Sequence, residues 1–396
     1  MTGLRVNKRL KTTFSSREKP TYYYLNLILN SSYWPYFFRG YRLNVRPVMF
    51  RFFCFFLFCL CWATVGWTQE LDELVLPTKE SVHTIDTTYI KSFERQLAAR
   101  VYLSQKYSRL LIKTPSSKIA FHPNSSLNLG IGATYESVTL NLALGFPFLN
   151  PERGQGKSKY LDLQSHLYNR NWVADIYGQF YKGYYLTSQS LADNISEPYY
   201  QRPDVYLRMG GVSYYRLTNG NRFSYQAALV QNEWQKKSAG TWLYGAEIFY
   251  GAMGGDSTLA PTAYIHDFKV SKIRFFKLGP GGGYAYTWVM NRHFFVTGSL
   301  TANLNLSMSS ENTGNAFGKV NVHVRPNFNY RASIGYNSEK WMLKLSLVQS
   351  DVSVNGASDT EYLVRTGNYR FTYTRRFPPG RKLRNLADQK RKLLGN

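Results

Sequence analysis

Cysteine is almost missing from this 396-residue chain, and the three that occur, Cys54, Cys59 and Cys61, share one apolar run near the front. Beyond that run there is no thiol, which excludes disulfides, thiol catalysis and thiolate metal sites from the rest of the chain. Long apolar segments are equally scarce. After residue 70 no stretch of about 18 uncharged apolar residues appears, so no helix is marked to cross a membrane. Acidic residues number 24 against 49 Lys and Arg, giving a formal net charge of +25. There is no Walker motif, EF-hand loop, zinc-ligand set or glycosidase-like carboxylate pair. The residues ask for no cofactor and no metal, and no catalytic motif stands out.

What the chain has instead is aromatic and alternating. It carries 32 Tyr, 25 Phe and 8 Trp, is 44% hydrophobic and 18% charged, and has a mean hydropathy of −0.36. The organising stretch is Phe294–Met308. Every second residue (Phe294, Val296, Gly298, Leu300, Ala302, Leu304, Leu306, Met308) is apolar or small, and the others are polar after Phe295. Side chains alternate across a strand, so one face is greasy and one wet for about 15 residues. Soluble strands average about 5–6 residues, whereas a tilted bilayer-spanning strand needs about 9–11. The pattern predicts an all-β, up-and-down antiparallel transmembrane β-barrel with polar residues inside. On that reading an arginine at Leu304 meets lipid, while one at Asn303 faces the lumen and is tolerated.

The front of the chain reads differently. Met49–Gln69 has Arg51 as a positive flank, an apolar core and a small-x-small site at Gly66–Thr68, the plan of a secretory signal peptide over 49–68. Residues 1–48 then form either an upstream stretch ahead of a true start at Met49 or a long, disordered, basic n-region. Residues 69–98 read as a periplasmic lead-in or a plug, 99–377 as the barrel, and 378–396 as a basic tail. Residues 1–68 hold ten Lys and Arg against one Glu, and 375–396 hold eight against Asp388. Targeting and contact with anionic lipid account for such ends, and nucleic acid is not expected as a partner.

Reversals at 136–137, 169–171, 218–221, 291–292 and 337–339 alternate with longer polar connections at 147–157, 188–203, 233–239, 310–317 and 355–360. Short turns on one side and long loops on the other is the outer-membrane asymmetry. Parity asks for a further strand within Pro261–Leu278; with it and Val101–Ile112 the count is fourteen, without both it is twelve. The glycine run Gly279–Gly283 lacks a following Lys-Ser/Thr and opens a strand, so it reads as a bend or a close-packing site rather than a phosphate loop.

Candidate functional residues are the charged groups on the inward register: Asp162, His166, Asp175, Arg208, Glu247, Arg331, Lys344 and Arg370. On the lipid face each would cost roughly 2–4 kcal/mol at midplane, which fixes the register. Such a lumen is either a solute-selective field or a plugged interior whose opposite charges pair. If plugged, segment 69–98 is placed to fill it and to meet Arg208, Arg331 or Lys344. None of the six histidines has a serine two residues on, the spacing of barrel lipases.

Several phrases together, DTTYIKSF at 86–93, RVYLSQKY at 100–107, PNSSLNLGIGATYE at 123–136, QFYKGYYL at 179–186 and GPGGGYAYTWV at 279–289, resemble an uncharacterised family of outer-membrane barrel proteins from Bacteroides-type Gram-negative bacteria. The resemblance implies the cell outer membrane as location and carries no activity with it. The final aromatic, Phe377, resembles the signal read by the barrel-assembly machinery, although 19 residues follow it. The expectation is a monomer in outer-membrane lipid, a porin-like channel or structural pore. The alternatives are a barrel enzyme acting on lipid or polysaccharide, or a loop-presenting adhesin or assembly partner.

Overall fold

A computed structural model describes residues 85–93, 95–135, 138–187, 198–261, 265, 268–314, 317–357, 359–385 and 389, together with the backbone of 69–75. The signal-peptide and upstream readings, and most of the basic tail, lie outside the described residues.

The period-two pattern is realised as strands almost everywhere. In chain order they are β1 (Gln69–Val75), β2 (Ile90–Ser92), β3 (Leu97–Lys113), β4 (Lys118–Phe121), β5 (Asn128–Tyr135), β6 (Val138–Gly145), β7 (Lys159–Tyr168), β8 (Trp172–Thr187), β9 (Tyr199–Leu217), β10 (Glu233–Gln235), β11 (Ala239–Gly254), β12 (Lys272–Met290), β13 (Phe294–Asn312), β14 (Asn321–Asn337), β15 (Trp341–Asn355) and β16 (Glu361–Phe377). Neighbours run antiparallel in the order β1-β6-β5-β3-β16-β15-β14-β13-β12-β11-β9-β8-β7, with β4 added to β3, so the main sheet has fourteen strands. β2 and β10 form a separate ladder. The sheet curls until its ends approach: β1 lies against β7, and His122 bridges to Tyr185 of β8.

The observed strands depart from expectation at two places. Among the described residues no separate strand lies within Pro261–Leu278, because Lys272–Met290 is one strand of 19 residues. Gly281 sits in its middle, opposite Asn303, and a Cβ there would overlap Asn303 Oδ1. That glycine makes room for an interior side chain. The second departure is at 218–221, where the reversal does not lead into a wall strand. The chain instead enters the barrel and returns only at Ala239.

The tight turns 169–171, 291–293 and 338–340 share one end, here the lower. Asn291 and Arg292 both have positive φ, 48° and 64°, as a narrow hairpin requires. Outer faces are apolar. On β13 the exposed set is Phe294, Val296, Leu300, Leu304, Leu306 and Met308, and the buried set is Phe295 and the polar residues between. Exposed Trp242, Tyr244, Tyr284, Tyr286 and Trp288 gather toward the lower end.

The interior has three layers. At the top, Val205, Leu207 and Met209 of β9, Phe249 and Met253 of β11, and Val352 and Val354 of β15 form an apolar core, roofed by Leu259, Ala260, Phe268 and Val270. The middle is polar. At the bottom lies a second apolar cluster that includes Phe223 and Tyr225.

Candidate functional site

The lower mouth is stoppered by the connection 218–238, which carries a single π-helical turn at Gln226–Val230 and then β10. Glu233 is buried and meets Arg170 of the β7–β8 turn through both carboxylate oxygens, one at 3.2 Å. Tyr225 OH lies 2.6 Å from Ser299 Oγ on β13. Lys344 of β15 donates to the Leu229 carbonyl. Thr374 of β16 donates to Gln231 Oε1 at 2.6 Å, and Arg376 to the Gln231 carbonyl at 3.1 Å. The stopper is thus tied to strands on opposite sides of the barrel.

The 85–93 segment clasps it from outside: β2 pairs with β10, Phe93 N donates to Asn232 O at 2.8 Å, and Arg222 Nε meets Asp86 at 3.2 Å. Hydrogen bonds from Thr88, with help from Arg222, hold the Asp86 carboxyl below its ordinary range. The expected plug, 69–98, is therefore divided. Its start is a wall strand, its later part is this clasp, and the stopper itself is 218–238. Glu233–Ala239, expected as an outer loop, belongs to the stopper and its return.

Above it the candidate residues form networks. His166 Nδ1 lies 2.8 Å from Asp175 Oδ1. Arg331 donates to the other oxygen of Asp175, and its guanidinium lies 5.8 Å from the ring of Tyr225 in the stopper. Asp175 is 0% exposed and Arg331 1%. Glu247 is caged by carboxamides, accepting from Asn305 at 2.7 Å, Asn327 at 2.6 Å and Asn329 at 3.1 Å. Asp162 accepts from Tyr181 OH at 2.5 Å and Gln164 at 3.0 Å, and Gln164 reaches Thr366 across the interior at 3.2 Å. Arg370 takes the inward register, its guanidinium 4.7 Å from the Tyr102 ring centroid.

Arg208 corrects the reading. It is exposed, stacked 5.2 Å over the Tyr206 ring, while Leu207 and Met209 point inward. Over 205–209 of β9 the inner face is apolar, so on this stretch polarity marks the outer face. In the sequence the asparagines at 303, 305, 327 and 329 stand out only as polar positions. Of the four, Asn303 and Asn327 stand directly opposite one another on β13 and β14, a signal that is legible once those two strands are neighbours. The middle of this interior is closed to solvent: Asn303, Asn305, Thr301 and Gln179 are all 0% exposed.

A family model for a domain of unknown function, DUF4421, matches residues 84–377. The chain belongs to the DUF4421 family. This match spans every strand from β2 to β16, including stopper and clasp. No curated protein matches the sequence. Among solved structures, the DUF4421 chain is similar to the outer-membrane protease OmpT of Escherichia coli, at 8% identity over 72% of this chain and 98% of that one, with a TM-score of 0.34. It is also similar to the translocator domain of the autotransporter NalP of Neisseria meningitidis, at 8% identity over 71% and 88%, with a TM-score of 0.29. A third is the toluene transporter TodX of P. putida, at 7% identity over 72% and 91%, with a TM-score of 0.23. Likeness at this level assigns the DUF4421 chain no activity.

Proposed function

We propose that this protein is a monomeric barrel of the Gram-negative outer membrane, inserted by the barrel-assembly machinery, that is closed at rest and conducts only when the 218–238 stopper leaves the lower mouth. The observation that carries this reading is the stopper's attachment: Glu233, Tyr225, Leu229 and Gln231 each bond to a different part of the wall. A merely structural connection between β9 and β11 needs only a few residues, whereas this one has 21 between Leu217 and Ala239. The test is conductance in planar bilayers. The intact protein is expected to conduct poorly, and replacing 222–236 with a short Gly-Ser linker is expected to give porin-like openings. An intact protein that already conducts freely would sink the gated reading.

The membrane reading rests on the exposed apolar face and has its own check. Leu304 is 60% exposed at mid-strand, and Leu304→Arg should cost roughly 2–4 kcal/mol in a bilayer. Asn303→Arg is expected to be at least as damaging, contrary to the open-lumen expectation, because Asn303 is fully enclosed and accepts from Tyr215 OH at 2.9 Å. Urea titrations in lipid vesicles and in detergent separate the two variants. The Leu304 penalty should shrink in detergent, where the charge can reach water, and the Asn303 penalty should persist.

A further inference from the structure

A notch opens in the wall between β14 and β15. β14 pairs with β13 from Asn321 onward, but with β15 only from Phe328, opposite Asp351. Beyond Asp351, β15 pairs with β16 alone and is buried on both faces through Asn355. Its tip is held inside: Ser353 N donates to Asn327 Oδ1 at 3.0 Å, Ala357 N to Glu311 Oε2 at 2.9 Å, and Lys277 to the Ser353 carbonyl. The top of β14 is left with a free edge that has no strand partner among the described residues, and residues 322–326 are exposed on both faces.

The height of this edge matters. Val322, Val324 and Pro326 stand opposite Met308, Leu306 and Leu304, in the upper part of the apolar band. Hydrocarbon does not tolerate an open sheet edge, so hydrogen-bonding groups must reach it from the leaflet surface. The stretch 319–325 reads KVNVHVR. Val320, Val322 and Val324 are exposed on the outer register, and exposed His323 and Arg325 are on the inner one, with Lys319 above them. No acidic residue interrupts the run. The nearby acids are already paired, Asp351 at the foot of the notch with Arg365 at 2.6 Å and Glu361, which lies within electrostatic reach of Arg325, with Lys113 at 3.1 Å. An apolar outer face joined round a bare edge to a basic inner one suits an amphiphile with an anionic head.

We propose that this notch seats one phosphate-bearing glycolipid of the outer leaflet, its acyl chains over the valines and its phosphate on Arg325 and His323. This inference rests on the outer-membrane reading. The test is native mass spectrometry of the folded, detergent-solubilised barrel, titrated with diphosphorylated lipid A or with an uncharged glycolipid of similar chain length. One lipid A per barrel is expected to be retained over the uncharged lipid. Arg325→Ser with His323→Ser removes both groups that hold the phosphate and should weaken retention at least about tenfold, the worth of a single charge-assisted contact. Arg216→Ser, at an exposed position near the lower end, should change nothing. Equal retention of both lipids, indifference to the double substitution, or a second chain paired on the edge in place of lipid would each overturn the proposal. Insertion into vesicles, read by heat-dependent gel mobility, is scored separately: a barrel that inserts yet retains no lipid A rejects the notch alone, and one that does not insert rejects the location.

Discussion

Glu233→Ala is expected to loosen the barrel by roughly 3–5 kcal/mol and to raise its single-channel conductance at the same time. The magnitude follows from what the substitution leaves behind. Arg170 sits at 9% exposure with its guanidinium turned onto Glu233, and removing one partner of a buried pair leaves the other charge desolvated. The conductance follows from place. Glu233 also receives the Ser224 hydroxyl, which in turn caps Ala227 N at 2.9 Å, so the loss propagates into the π-helical turn. Replacing both charges at once, Arg170→Met with Glu233→Leu, should be far milder in stability, since a well-packed apolar pair removes the stranded charge. The checks are urea midpoints in detergent and current traces in planar bilayers. If Glu233→Ala lowers the midpoint while the channel stays shut, the pair braces the wall and does not latch the stopper.

The wall was legible from residue pattern because lipid-type exposure and a polar interior impose opposite demands on alternate side chains. β13 shows this without exception from Val296 to Met308, and the hairpin of β5 and β6 nearly so. The same logic misplaced Arg208, since its assumption of a wet interior fails where Val205, Leu207 and Met209 build an apolar top layer. It also could not foresee that the upper part of β15 is buried on both faces. Val352 and Val354 alternate with Asp351 and Ser353 as they would in a wall strand, and only the pairing register shows that the tip has left the wall. The stopper was hidden for another reason. Ser224–Gln235 mixes small, aromatic and amide residues with no period of two, and its bonds to the wall run to residues more than 50 positions away. Of the candidate site, the inward charges were identifiable one by one. Which of them pair was not, because pairing depends on the curvature that brings β8 to face β14 across the interior.

That facing pair is where the other large effect is expected. Asp175→Asn keeps the shape of the side chain and removes its charge, leaving the Arg331 guanidinium, 1% exposed, without a counter-ion. A cost of roughly 3–5 kcal/mol is expected, the range for a buried pair broken from one side. Arg331→Met should be less severe, although it breaks the same bond. Asp175 would retain His166, whose Nδ1 lies 2.8 Å from its carboxylate, and Ser213 Oγ at 3.4 Å, whereas Arg331 has no second acid within ion-pair distance among the described residues. The asymmetry has a direct check. Adding His166→Leu to Arg331→Met should bring its cost up to that of Asp175→Asn, while adding it to Asp175→Asn should cost little more. Urea midpoints of these four variants and of His166→Leu alone, in one detergent, decide it. Equal single-variant costs that simply add would mean that His166, Asp175 and Arg331 do not act as one network.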